Sequence, residues 1–163
     1  MGGMLGFMYQ QLCFTPKPLP DHIKLDGKTA IVTGSNSGLG LEAAKELVVH
    51  GLARIVLGVR IVAKGEAAKK EILHEKPGCD VQVWEVDQDS FESMKLFGER
   101  IQSLDRVDIV ILSAGIKLLE FKRSPSGHES NVQVRPPQPV QISSMCITSY
   151  PLMFRLTIWG LLF

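Results

Sequence analysis

Between the apolar run TAIVT and the helix-like LEAAKELVVHG, the chain reads Thr33-Gly34-Ser35-Asn36-Ser37-Gly38-Leu39-Gly40. Three glycines where a strand gives way to a helix let the chain turn sharply, bring backbone N–H groups up to an anion and pack the helix close to the sheet. The dipole of the following helix favours negative charge, so the chemistry to expect is capture of a pyrophosphate. The competing reading is a strand-to-helix turn that is only incidentally rich in glycine, and the residues around it must decide.

The remaining reactive side chains form no second centre. Cys13, Cys79 and Cys146 lie far apart with no CxxC or Cys/His cluster, so neither a disulfide framework nor a zinc site is expected. His22, His50, His74 and His128 are scattered, each read as a surface residue. A net charge of +1 supplies no basic footprint for nucleic acid. Met1 to Phe14 is apolar but lacks the basic start of a secretory signal, and Gly6 stands where myristoylation wants Ser or Thr. A reducing, cytoplasmic setting is the expectation.

The elements that must position the loop follow from hydrophobic patterning. With 45% hydrophobic residues, the 163-residue chain is sufficient for one ordinary core. Pro16, Pro18 and Pro20 make residues 1–24 an extended lead-in, and the folded unit begins near Leu25. Strand TAIVT is followed by a helix over Leu39–His50 with Gly51 as its stop, strand RIVLGV, and a helix over Val62–Glu75. After the Pro77-Gly78 turn come strand VQVWEV, a helix over Ser90–Leu104 and strand DIVIL. Asp89 and Glu92 have capping-box spacing, and Met94, Phe97, Ile101 and Leu104 share one helical face. Strands apolar at successive positions and separated by helices predict an α/β fold, a parallel sheet covered on both faces. The pattern stops near Arg135, beyond which there is no acidic residue and no clear period.

The spacing Thr33-Gly34-xxx-Gly38-x-Gly40 resembles the TGxxxGxG motif of the short-chain dehydrogenase/reductase family. LDGKTAIVTGSNSGLGLEAAKEL, VLGVR with KGEAAKKEI, VWEVDQDS and DRVDIVILSAGI follow in the order of that family's first half, and the resemblance covers residues 25–134. The segments PKPLPDHIKLDGKT and SPSGHESNVQV look most like fungal members of secondary metabolism. The resemblance implies a Rossmann-like sheet of about four strands in the order 3-2-1-4, with Gly34, Ser35, Asn36, Ser37, Gly38, Leu39 and Gly40 forming the cofactor turn. Arg60 ends the second strand, twenty positions after Gly40, where an NAD-specific fold carries an acidic residue. A guanidinium there suits a 2′-phosphate and favours NADP, the alternative being an exposed arginine packing its stem over the sheet edge. Lys64 adds a second positive charge or is a solvated surface lysine. Asp87 occupies the position that the family uses near the adenine ring; alternatively it or Asp89 caps the next helix, a role for which Asp89 is better placed. Ser113, Ala114 and Gly115 match the last three residues of the family's NNAG segment, which closes over the cofactor. Both asparagines are absent here, and a hydroxyl cannot reproduce an amide's paired donor and acceptor.

The family's proton donor is a tyrosine with a lysine four residues later, helped by a serine and an upstream asparagine. In this sequence Tyr9 precedes the fold, and Tyr150 is followed at that spacing by Phe154, with Pro151 between them. Ser144 in ISS stands too close to Tyr150, and Arg135 occupies the place of the asparagine, so no catalytic residue is assigned. The expectation is a reading frame interrupted at Arg135 by a retained intron, a frameshift or gene truncation, with 135–163 a non-homologous tail. The apolar run from Met145 to Phe163 contains Arg155 and Pro151, which argue against a membrane span. Ending there would leave DIVIL an open apolar edge, inviting self-association or aggregation. The functional expectation is an NADP-dependent short-chain oxidoreductase by ancestry, binding NADP(H) but inactive as written, with a small-molecule substrate in intact relatives. The alternative is a non-catalytic nucleotide-binding remnant or interaction protein.

Overall fold

The computed structural model describes residues 20, 22–116 and 118–134, and residues 154–156 as backbone. Expectations concerning Tyr9, Ser144, Tyr150 and most of the tail lie outside them. The strands are β1 (Thr29–Thr33), β2 (Arg54–Val59), β3 (Asp80–Glu85), β4 (Ile109–Leu112) and β5 (Phe154–Leu156). The helices are α1 (Gly38–Val49), α2 (Val62–Glu75), α3 (Phe91–Gln102) and the short α4 (Ser130–Gln133).

All strand pairs are parallel, in the order β3-β2-β1-β4-β5. A right-handed crossover puts its helix on one face when the sheet grows in one direction and on the opposite face when it grows in the other. The sheet grows from β1 through β2 to β3 and then returns past β1 to β4, so α1 and α2 share a face and α3 takes the other. The core divides accordingly. Ala30, Val32, Ile55 and Leu57 pack with Leu41, Ala44, Val48, Ala68 and Ile72. Ile31, Val56, Val110 and Leu112 pack with Trp84, Met94, Phe97 and Ile101. Successive residues of β1 thus enter opposite cores, which is why the strand is apolar throughout.

Two expectations are corrected. The expected parallel order 3-2-1-4 is present, but the edge of β4 is not open: Phe154–Leu156 pairs with Ile109–Ile111. Unpaired N–H and C=O groups on an apolar strand recruit extended chain, and a three-residue strand is too short to display a period in sequence. Nor does Asp89 cap α3. Ser90 is the N-cap, with its Oγ accepting from the Ser93 amide at 3.4 Å. Asp89 is engaged elsewhere: its Oδ2 accepts from Ser130 Oγ at 3.1 Å. Among the described residues no helix is long and apolar enough to cross a membrane.

Candidate functional site

The glycine turn stands at the carboxyl edge of the sheet, where the strand order reverses between β1 and β4. The Gly34 amide donates to Gly58 O at 2.8 Å, tying the turn to β2, and the Ser113 amide donates to Thr33 O at 3.2 Å, tying it to β4. The crevice at such a reversal is where open parallel sheets receive ligands.

Close contacts explain two of the glycines. A Cβ on Gly34 would lie 2.6 Å from Ala114 Cα, and one on Gly40 would lie 2.3 Å from Gly34 O and 3.3 Å from Ser113 Oγ. The turn, the first turn of α1 and Ser113-Ala114 therefore form one tightly packed knot. Gly34 and Gly38, at φ 68° and 57°, both adopt a conformation L residues disfavour, but at Gly38 the Cβ position faces open space. Gly115 also has no atom within 4 Å of its Cβ position. The knot is packed from behind and bare in front.

That bare side is electrostatically suited to an anion. Ser37, the N-cap of α1, is extended at φ −169° and makes no side-chain capping bond, and the first turn holds no acid. The helix thus begins with backbone donors uncapped by side chains and with the positive end of its dipole unopposed. Among the described residues Asn36 Nδ2 donates only to Ser37 Oγ, at 3.3 Å, and Leu39 is 63% exposed beside them. Ser35 is fully buried, yet among the described residues its Oγ has no hydrogen-bond partner, and Thr33 Oγ1 is in the same state. The residues present fit a diphosphate: amide donors, no acidic side chain from Gly34 to Gly40, and space at Gly38.

The other expected residues lie around the same edge. Arg60 directly follows β2, is exposed, and forms no ion pair among the described residues. Lys64 is exposed in the first turn of α2. Asp87, two residues past β3, is half-buried; its Oδ1 accepts from the Asp89 amide at 3.0 Å, while its own amide donates to Ser93 Oγ at 2.9 Å. Asp87 therefore shapes the turn into α3 without capping it. Among the described residues there is no group of three or more potential metal ligands. Sequence reasoning passed over Ser130, Asn131 and Gln133, whose side chains reach the loops after β3 and β4. Their only signal was a polar run in a segment without strong helical periodicity.

A parallel sheet reversing beside a glycine turn, with an uncapped helix start and a basic residue after the second strand, defines a Rossmann-like α/β domain. A profile described as short chain dehydrogenase matches residues 28–136. The chain belongs to this family. It is 70% identical over 134 residues to the short chain dehydrogenase sol3 of Alternaria solani, the match covering 82% of this chain and 47% of that protein. With the short chain dehydrogenase virL of Hypocrea virens it shares 46% identity over 132 residues, covering 80% of this chain and 38% of that one. The chain thus spans about half the length, or less, of these relatives. Among solved structures, a 3-oxoacyl (acyl-carrier-protein) reductase from Agrobacterium tumefaciens with NADP bound aligns with a TM-score of 0.70 and 20% identity, covering 86% of this chain and 56% of that one. An alcohol dehydrogenase from Thermococcus sibiricus complexed with 5-hydroxy-NADP aligns with a TM-score of 0.66 and 25% identity, covering 80% and 57%.

Proposed function

We propose that this chain is the NADP(H)-binding part of a short-chain oxidoreductase that interconverts a carbonyl and an alcohol, or reduces a related double bond, on a small molecule of fungal secondary metabolism. The observation that carries the reading is the glycine knot, packed so tightly behind that no Cβ fits at Gly34 or Gly40 and open in front at Gly38. In this reading the first-turn amides of α1 hold the pyrophosphate, with Ser35, Asn36 and Ser37 lining the turn and Leu39 covering it. Arg60, aided by Lys64, takes the 2′-phosphate; Asp87 faces the adenine; Ser113, Ala114 and Gly115 close the far side. The bound cofactor supplies the hydride. A proton donor of the family's type is absent from the sequence as it stands: the residue four places after Tyr150 is Phe154, which lies in a strand and carries no charge to lower a phenol's pKa. We therefore assign binding without turnover to this chain, in the cytoplasm.

The test is a fluorescence titration of the purified chain with NADPH and NADH. NADPH is expected to bind at least tenfold more tightly, and Arg60→Ala to remove about 10- to 100-fold of NADPH affinity while sparing NADH, the range for one charge-assisted contact. Failure of the wild-type chain to bind either nucleotide would remove the reading. NADPH oxidation by the purified chain on a panel of ketones and aldehydes would overturn the non-catalytic assignment.

A further inference from the structure

The helix α4 has only four residues, but three of its side chains bind two loops that come from different strands. Gln133 is 1% exposed and uses both ends of its amide: Nε2 donates to Gln88 O at 3.2 Å and to Ser126 Oγ at 3.4 Å, and Oε1 accepts from Ser124 Oγ at 2.6 Å. Ser130, also 1% exposed, donates to Asp89 Oδ2. Both contacts fall on the 87–89 loop, where the Asp89 amide in turn donates to Asp87 Oδ1. On its other side the helix holds the exit of β4, because Asn131 pairs with the Leu118 backbone as a neighbouring strand would. The Leu118 amide donates to Asn131 Oδ1 at 2.8 Å and Asn131 Nδ2 donates to Leu118 O at 3.0 Å. The edge contact between His128 and Phe91, with ring centroids 5.8 Å apart, seats the segment against the start of α3.

A buried amide satisfied at donor and acceptor together is a specified connection, since no hydroxyl or apolar side chain can replace both halves. Here it joins the loop that carries Asp87 to a segment outside the glycine turn. We propose that Ser130 and Gln133 are positioning residues for nucleotide binding: they hold the 87–89 loop in the form that presents Asp87, so that seating of the 118–134 segment and occupancy of the nucleotide site favour one another. The inference rests on the NADP(H) reading above. Asp89 sharpens it, because its Oδ1 is buried without a hydrogen-bond partner among the described residues. An unsatisfied buried carboxylate oxygen is costly, and the loop keeps this arrangement only while Ser130 and Gln133 hold it. Coupling of this kind is reciprocal, so the nucleotide must also stabilise the segment.

The experiment measures NADPH affinity by fluorescence for wild type, Gln133→Leu, Ser130→Ala, Asp87→Ala and the Asp87→Ala/Gln133→Leu double variant. Ser130→Ala, which loses a single hydroxyl, keeps the test open if Gln133→Leu fails to fold. Gln133→Leu and Ser130→Ala are each expected to weaken NADPH binding about tenfold, the scale of one buried hydrogen bond. In the Asp87→Ala background Gln133→Leu should add less than about twofold, because it acts through that residue. Trypsin cleavage after the exposed Lys122 and Arg123 should slow with NADPH in the wild type and not in the variants. Unchanged affinity in Gln133→Leu and Ser130→Ala, or full additivity with Asp87→Ala as a merely structural role would give, overturns the positioning role and leaves the NADP(H) reading intact. No binding by wild type removes both.

Discussion

At Gly40 a single methyl group decides whether the turn closes. Its Cβ would sit 2.3 Å from Gly34 O and 2.8 Å from Gly34 C, backbone atoms that cannot swing aside as a side-chain tip can. Gly40→Ala must therefore push α1 away from the turn. We expect a loss of about 2–3 kcal/mol in urea unfolding, the upper range for overpacking, together with loss of NADPH binding. Wild-type stability with retained binding would show that the knot is looser than the structure makes it. The spacing of Gly34, Gly38 and Gly40 announced a turn around an anion, but the sequence did not distinguish their duties. Gly40 is required by contacts behind the turn alone, Gly34 by both its positive φ and its contact with the Ala114 backbone about 80 residues away in sequence, and Gly38 by its φ alone. Ser113 illustrates the same point. Its substitution for an amide was visible in the sequence, but the closeness of its Oγ to Gly40 depends on β4 lying beside β1.

Among the elements, the two ends of the sheet are built differently. The amino edge is closed by side chains. Asp108 Oδ2 accepts from the Thr29 amide at 2.9 Å, joining the starts of β4 and β1, and Arg106 Nε donates to it at 2.9 Å. Arg54 Nε donates to Asp80 Oδ2 at 2.7 Å, joining β2 to β3. At the carboxyl edge the side-chain ties run instead through α4, which joins the loops after β3 and β4, while Arg60 and the start of α1 are left without them among the described residues. Burial opposes ionisation of Asp108, but the bonds from Arg106 and the Thr29 amide, with the charges of Arg106 and Lys28, outweigh it and hold the carboxyl below its ordinary 3.8. A folded-state pKa below the unfolded one contributes stability that is complete above the unfolded value and is lost as pH falls through the folded value. Asp108→Asn should therefore cost about 1.5–3 kcal/mol at pH 7, the range for a hydrogen bond to a charged group. That difference should shrink below about pH 4. Urea unfolding at pH 7 and pH 3 checks it, and an equal difference at both would exclude ionisation as the cause. The existence and type of helices β1 to β4 flank were readable from periodicity, down to the bounds of α2. The cap of α3 was not, because Asp89 and Ser90 are both good capping residues, and the choice fell to Ser130, which draws Asp89 away.

For the whole molecule, stability depends on two thin cores sharing one sheet. On the α3 side the anchor is Phe97, 1% exposed, whose ring meets Trp84 edge-on at 6.0 Å. Arg100 closes over the outer face of Trp84 at 4.4 Å. Phe97→Ala empties the centre of that layer and should cost about 3–5 kcal/mol, a large share of the ordinary margin of about 5–15 kcal/mol. Thermal unfolding should show the chain partly or wholly unfolded near 37 °C, and a small shift would mean that the α3 face contributes little.

The sequence by itself determined the parallel α/β class, the glycine turn, the position of Arg60 after β2 and the lack of a tyrosine–lysine pair, since each depends on local order along the chain. The tertiary structure decided the rest. It brought Phe154–Leu156 beside β4, turned Asp89 from helix cap to partner of Ser130, and buried Gln133 against Gln88. These contacts join residues tens of positions apart, and local propensity and spacing carry no information about which distant segment will meet a given hydrogen-bonding group.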